Sequence, residues 1–301
     1  MPNALIAYLL KLSSRFFQTD TAYLARGSFW LALGKSANTL VAVLLSVLYA
    51  RYLLKETYGD YRYVLSIFGL LSIFALPGMI TTLRRSVARG YDKMFPISAK
   101  FIFFSSWLIS LIGIGISIFF FLNDKTALAW GFIAASLVIP FVEGLGSWRG
   151  YLESKREFEK QTIFNIISHL FYGVAMTSAV ISIYFFHLDE ARSLAMLVGI
   201  YFLAHAIPNI VFFLKTLKTV PKDAKAEEGA IRYGVQLSII TIPTTVANYI
   251  DGLLLYTFLG PVALAVYSFS IAPIEQLKAY LGTAEMVTFP AKTQTYSGSP
   301  T

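Results

Sequence analysis

Residues 97–122 read ISAKFIFFSSWLISLIGIGISIFFFL, a run whose single charge, Lys100, stands near its start. At about 1.5 Å of rise per residue, a helix of this length covers the ~30 Å hydrocarbon core of a bilayer. A strand reading fails, because spanning strands need only about 10 residues and alternate in polarity. This run is apolar on most of its faces. The same reading extends outward in both directions, over 28–50, 63–83, 126–148, 162–186, 193–214 and 233–258, with a last span at 262–286. The sequence therefore predicts an all-α fold, a polytopic transmembrane helix bundle of about eight spans.

Composition agrees with a lipid-solvated chain. The 301 residues are 56% hydrophobic and 14% charged, where soluble domains carry about 25% charged residues. Twenty-five Phe and 18 Tyr suit helices that meet lipid along their length and headgroups at their ends. Cysteine is absent, which excludes disulfides and thiolate metal sites. The net charge of +8 would suggest nucleic acid in a soluble protein, but the basic residues here sit in short stretches between apolar runs. That pattern reports topology and not a nucleic-acid surface.

Lys and Arg also set the orientation. One side collects Lys11, Arg15 and Arg26, then Arg84 to Lys100, Arg149 to Lys160, and Lys215 to Arg232; the other holds Arg51, Lys55, Arg62, Lys125 and Arg192. The positive-inside rule then puts the N-terminus in the cytoplasm and the loop around Tyr58 and Gly59 outside. Residues 1–27 read as a cytoplasmic amphipathic segment, since the apolar run after Ala4 is too short to span. Residues 28–214 read as a first six-helix bundle and 215–232, rich in Lys and Glu and containing Pro221, as a charged cytoplasmic linker. Residues 233–301 then begin an incomplete second bundle and end in a polar tail. The stretch Leu54 to Tyr61 is faintly echoed by Gly260 to Tyr267, six spans later, which predicts a parallel relation between the two bundles.

Several polar residues interrupt the spans. A charge in mid-membrane costs about 2.5–3.5 kcal/mol on insertion scales, so Lys35 in the first span demands an offsetting environment. It shares a stripe with Ser28, Asn38, Thr39, Ala42, Ser46 and Tyr49, readable as close helix packing with a snorkelling lysine or as one wall of a hydrated cavity. The seventh span carries Thr241, Thr244, Thr245, Asn248, Asp251 and Gly252 on one face, with Pro243 interrupting its ladder. Pro77-Gly78 does the same in the second span, and each proline marks either a flexible bend or a static kink. Glu143, in the fourth span, is a candidate proton-coupling carboxylate or an interfacial partner of Arg149. Asp251 is a second coupling candidate. Asn165, His169, Tyr172 and Gly173 form a polar face on the fifth span, and Glu275 and Lys278, spaced i and i+3 in the eighth, are placed to neutralise each other or to contribute to a polar lumen. Arg84 and Arg85 could grip a phosphate through their guanidinium forks, although cytoplasmic arginines are also expected from orientation alone.

Enzymatic signatures are missing. No GxxxxGK[ST], HExxH or nucleophile-elbow motif occurs, the loops are too short for a catalytic domain, and nothing calls for a cofactor or a metal. Transport is the better reading.

Particular stretches carry a family resemblance: Gly27-Ser28-Phe29-Trp30, Ala50-Arg51-Tyr52-Leu53-Leu54-Lys55-Glu56-Thr57-Tyr58-Gly59-Asp60-Tyr61, and Thr82-Leu83-Arg84-Arg85-Ser86-Val87-Ala88-Arg89-Gly90. Tyr249-Ile250-Asp251, Leu259-Gly260 and Ala263-Leu264-Ala265-Val266-Tyr267-Ser268 continue it. Over about 27–290 the chain resembles the oligosaccharide flippases, polysaccharide-unit exporters of the superfamily that also holds lipid II flippases and multidrug extruders. The resemblance implies two six-helix bundles rocking about a cavity to carry an undecaprenyl-pyrophosphate-linked sugar from the inner to the outer leaflet. Only two helices follow the linker here, so the chain reads as a C-terminally truncated member. Cavity candidates are then Lys35, Asn38, Arg84, Arg85, Asn248 and Asp251, with Glu143 and Asp251 for ion coupling. The implied partners are membrane lipid, the lipid-linked oligosaccharide and polysaccharide polymerase or glycosyltransferase proteins, in a bacterial or archaeal plasma membrane. A cation-coupled multidrug extruder, favoured by lumenal carboxylates, and a nonenzymatic scaffold of a polysaccharide assembly complex are the alternatives.

Overall fold

The computed structural model of the chain describes the backbone of residues 21–297 and the side chains of 29–276, Leu31 apart. Most of the expected N-terminal amphipathic segment, residues 1–20, and the side chain of Lys278 lie outside the described residues. Helix α1 is Thr21–Tyr52, α2 Lys55–Leu71, α3 Gly78–Ala88, α4 Met94–Leu122 and α5 Thr126–Leu145. Then come α6 Trp148–Ser154, α7 Phe158–Phe185, α8 Glu190–Leu217 and α9 Ala230–Ser297. Among the described residues there is no strand, as the long apolar runs required.

Six helices are long and apolar enough to cross a membrane, and the pair formed by α2 and α3, bent by 50°, makes a further crossing. The last of the six, α9, is itself double. Its described span of 47 residues would run about 70 Å as a straight helix, more than twice the hydrocarbon thickness. The helix breaks at Gly260, whose φ of 82° and ψ of −179° belong to a region open essentially to glycine. The chain then folds back on itself. Tyr267 Oη donates to Asp251 at 3.2 Å across the hairpin, and Thr39 on α1 donates to Gln276 at 3.1 Å farther down. Among the described residues the candidate crossings thus number up to seven, the last of them a hairpin of two arms.

Proline explains the bend in the second crossing. Pro77 disfavours right-handed helix at the residue before it, and Leu76 takes a left-handed conformation with φ 56°. Pro140 acts differently, inside an unbroken α5. It has no N–H to give the carbonyl of Ser136, and Ser110 of α4 supplies the missing donor at 2.6 Å. Pro243 also gives up one ladder bond, yet the backbone around it stays helical, the non-helical position inside α9 being Gly260.

Small residues set the packing of α4 on α5. Ser106, Ser110, Gly113 and Ser117 recur on one face of α4, all buried. Ser117 donates to the carbonyl of Ala129, and a Cβ on Gly113 would meet Ser136 Oγ. Close approach of this kind replaces the hydrophobic driving force that lipid removes. The opposite faces carry Phe104, Leu111 and Leu137, and α7 carries Leu170 and Val174, all more than half exposed, as a lipid-facing surface requires.

The second crossing runs through the middle of the molecule, packed against α5, α8 and the whole first arm of α9. Gly59 lets Pro261 approach until a Cβ would overlap its carbonyl, and Gly78 admits the backbone of α9 in the same way. Tyr63 stacks on Tyr256 at 3.8 Å and Tyr58 on Phe269 at 4.5 Å. The expected loop of residues 51–62 is therefore corrected. Only the Leu53–Leu54 corner is a turn, and Tyr58, Gly59 and Arg62 are helical, because Asp60 and Arg62 depress the local hydropathy without breaking the helix.

Candidate functional site

A cavity of about 790 Å³ lies between α2, α5, α8 and the two arms of α9. Its volume falls within the ~300–1,000 Å³ typical of sites that enclose small ligands. The helical period of each element decides what enters it. From α2 and the turn that follows it come Arg62, Ser66, Gly69 and Ser72, spaced by three or four residues. Glu143 enters from α5, Tyr201 and His205 from α8, Asn248, Tyr249 and Asp251 from the first arm of α9, and Tyr267, Ser268 and Glu275 from the second.

Hydrogen bonds fix part of this lining. Arg62 Nε donates to Ser268 Oγ at 3.1 Å, tying the second crossing to the hairpin. Tyr267 reaches Asp251 at 3.2 Å, and the carbonyl of Tyr201 is 2.7 Å from His205 Nδ1. Gly69 leaves room for Tyr249, whose ring would overlap any Cβ there. Just above the cavity, Tyr256 Oη donates to the buried Asp60 carboxylate at 2.5 Å. Among the described residues no group of His, Asp and Glu is arranged to hold a metal ion.

Of the residues singled out in the sequence, Glu143, Asn248, Asp251, Gly252 and Glu275 come together in this cavity. Lys35 and Asn38 do not. Both are half-buried on α1, which packs along α7, and Lys35 lies within electrostatic reach of His169 on that helix. Arg149, on the same side, donates from Nε to Asn165 at 3.0 Å and lies 4.6 Å from the Trp148 ring centroid.

Arg84 and Arg85 are also outside the cavity, at the end of the bundle that carries the linker. Arg84 sits 3.1 Å from Glu153. Arg85 lies 4.7 Å from the Tyr233 ring centroid and 4.0 Å from Glu227. Glu227, a linker residue, accepts from Ser86 at 2.5 Å and from Arg89 at 3.1 Å. Lys155 and Asp92 close a further pair at 2.7 Å. The cationic forks that could have gripped a phosphate are thus matched by the chain's own carboxylates.

Arg62, Tyr201 and His205 were not read as site residues, and Tyr249 and Tyr267 entered the sequence reading only through the family resemblance. Arg62 was counted with a loop, yet it stands two turns inside α2. The recurrence of Arg62, Ser66, Gly69 and Ser72 at helical spacing was the signal that could have placed it.

A helical multi-pass membrane protein, with a polar cavity between its first six crossings and a helical hairpin, is the class this geometry defines. Residues 24–296 match the family description "Polysaccharide biosynthesis protein", and the chain belongs to that family. Comparison with curated proteins and with solved structures finds no match.

Proposed function

We propose that this chain serves cell-surface polysaccharide synthesis by moving a lipid-linked oligosaccharide unit from the inner to the outer leaflet, without itself catalysing a covalent step. The observation that carries this reading is the polar cavity enclosed by membrane-crossing helices in a member of the polysaccharide biosynthesis family. Sugars are too polar to cross ~30 Å of hydrocarbon unaided, and a cavity with hydrogen-bonding walls offers them an alternative solvent. Two pinned ends flank it: the Asp60–Tyr256 contact on one side and the Glu227 cluster on the other. Alternating release of two such ends is what alternating access requires. In this reading the linker end is cytoplasmic, the membrane is a bacterial or archaeal plasma membrane, and the enzymes that build or polymerise the unit are the partners.

Arg62 is the cationic side chain among the described lining residues, and Arg62→Ala is the test. In a host lacking the native gene, the wild-type chain restores surface polysaccharide. The Arg62→Ala chain, present in the membrane at the same level, restores at most a tenth of it while the lipid-linked unit accumulates. Normal surface polysaccharide in the gene-deleted host would overturn the reading. The lining carboxylates Glu143, Asp251 and Glu275 favour a second reading, a cation-coupled extruder of the same architecture. Loss of resistance to lipophilic cations, with polysaccharide intact, would select it.

A further inference from the structure

We propose that Tyr249 and Tyr267, one on each arm of the α9 hairpin, are the residues on which the cavity stacks the pyranose rings of its cargo. This rests on the export reading and names the side chains that hold the sugar in the same site. Phe and Tyr side chains enter the cavity from three elements: Phe68 from α2, Tyr201 and Phe202 from α8, and Tyr249 and Tyr267 from α9. They fall into two groups. Phe68, Tyr201 and Phe202 are committed to the packing of the bundle. Phe68 and Phe202 are 2% and 3% exposed and meet edge to face at 5.5 Å, with Phe68 also 5.7 Å from Phe132. Tyr201 packs on Tyr61 at 6.0 Å, Tyr172 at 5.8 Å and Phe202 at 5.1 Å.

Tyr249 and Tyr267 have no ring partner among the described residues, and both are partly exposed where they line the cavity. Each is nevertheless held in place. The Cδ1–Cε1–Cζ edge of Tyr249 lies against the backbone of Gly69, where a Cβ would come within 2.2 Å of Cε1. The glycine is thus the seat of that ring. Tyr267 is anchored at its tip, where its hydroxyl donates to Asp251 at 3.2 Å. A contact along the edge of one ring and at the tip of the other leaves their faces unspent on packing against another ring.

A pyranose presents C–H groups on its faces and hydroxyls around its rim. The weakly positive C–H groups suit the negative π face of an aromatic ring. The hydroxyls suit Arg62, Ser66 and Asn248, which line the same cavity. Aromatic surface with a few fixed polar groups is the usual make-up of a small-ligand site, and tyrosine supplies it at low cost because only two side-chain torsions must be fixed. The two rings are also staggered. Tyr249 stands 11 residues before Gly260 and Tyr267 7 after it, so at ~1.5 Å of rise per residue their depths differ by about 6 Å. Platforms offset in this way meet successive rings of one sugar chain.

The test uses the full chain in the gene-deleted host, each variant present in the membrane at the wild-type level, with surface polysaccharide and the thermal midpoint in detergent both measured. Tyr249→Leu and Tyr267→Leu keep apolar bulk and remove the ring. Each is expected to lower surface polysaccharide by about fivefold or more, with a midpoint within about two degrees of wild type. Tyr249→Phe and Tyr267→Phe keep the ring face and recover more than half of the loss. Tyr201→Leu, by contrast, lowers the midpoint, because its ring belongs to the packing. If a leucine variant does not reach the membrane, the methionine variant, whose unbranched chain fills irregular space, takes its place. Normal export by the leucine variants, a loss in the phenylalanine variants equal to that in the leucine ones, or a loss that tracks a fallen midpoint overturns the inference. So does normal export joined to lost resistance to tetraphenylphosphonium, which would assign the ring faces to an organic cation. In every one of these outcomes the wild-type chain still restores surface polysaccharide, whereas its failure to do so in the same cells sinks the export reading itself.

Discussion

Asp60 carries a carboxylate into the packed core with only 6% of its surface exposed, and Tyr256 meets it with a 2.5 Å hydrogen bond. A buried acceptor left without its donor costs about 1–3 kcal/mol. Tyr256→Phe keeps the ring that stacks on Tyr63 and removes only the hydroxyl. That variant is expected to lower the thermal midpoint in detergent by several degrees, whereas Tyr63→Phe, which preserves the same stack, leaves it within about one degree. Equal midpoints for the two variants would show that the ring contact, and not the hydrogen bond, holds the hairpin to α2. Gly59 complements this contact beside the hairpin turn, since only a residue without a Cβ lets Pro261 come so near.

Elements in this protein repair one another's broken ladders. Where Pro77 ends one helix and α3 begins, the amide of Gly78 donates to Ser238 Oγ of α9 at 3.0 Å. A side chain from another helix thus caps α3, the role usually filled by a residue just before the helix. Ser110 does the same for the carbonyl that Pro140 leaves open. Asn209 of α8 donates to the Val142 carbonyl at 2.9 Å and receives the Trp148 indole N–H at 3.3 Å, joining three elements. With no water in the bilayer core, such groups have no other partner. Ser238→Ala is expected to destabilise the chain by about 1–3 kcal/mol, read as a lower detergent-unfolding midpoint. Ser238→Thr, which retains a hydroxyl, should recover most of the loss. No change with alanine would mean that the bend at Leu76 needs no help from α9.

The whole molecule presents two unlike ends. At the linker end, Arg84, Arg85, Arg89 and Lys155 are matched with Glu153, Glu227 and Asp92. At the other, α1 meets α2 and α9 turns at Gly260. Because the chain has no cysteine, single introduced thiols report each end without background. Asp124→Cys, between α4 and α5, is expected to react with a membrane-impermeant maleimide in intact cells. Lys222→Cys, in the linker, should react only after permeabilisation. The reverse pattern would place the linker outside and overturn the orientation that the Lys and Arg distribution predicts.

By itself the sequence determined the all-helical class, a bundle of several membrane crossings and the break at Pro77, because each depends on local chemistry: the length of an apolar run, or the backbone a proline permits. It also singled out Glu143, Asn248 and Asp251 as polar groups out of place in lipid. The tertiary structure alone decided which of these groups share a cavity. Arg62 and Ser268 are 206 positions apart, and Ser86 and Glu227 141. No local pattern encodes such pairings. For Arg84 and Arg85 the sequence did not show their carboxylate neighbours Glu153 and Glu227, which come from α6 and the linker. Lys35 could be read as part of a packed stripe or of a cavity wall, because a polar stripe looks the same whether it faces water or another helix. Helical period tells which residues share a face, and only packing tells what that face meets.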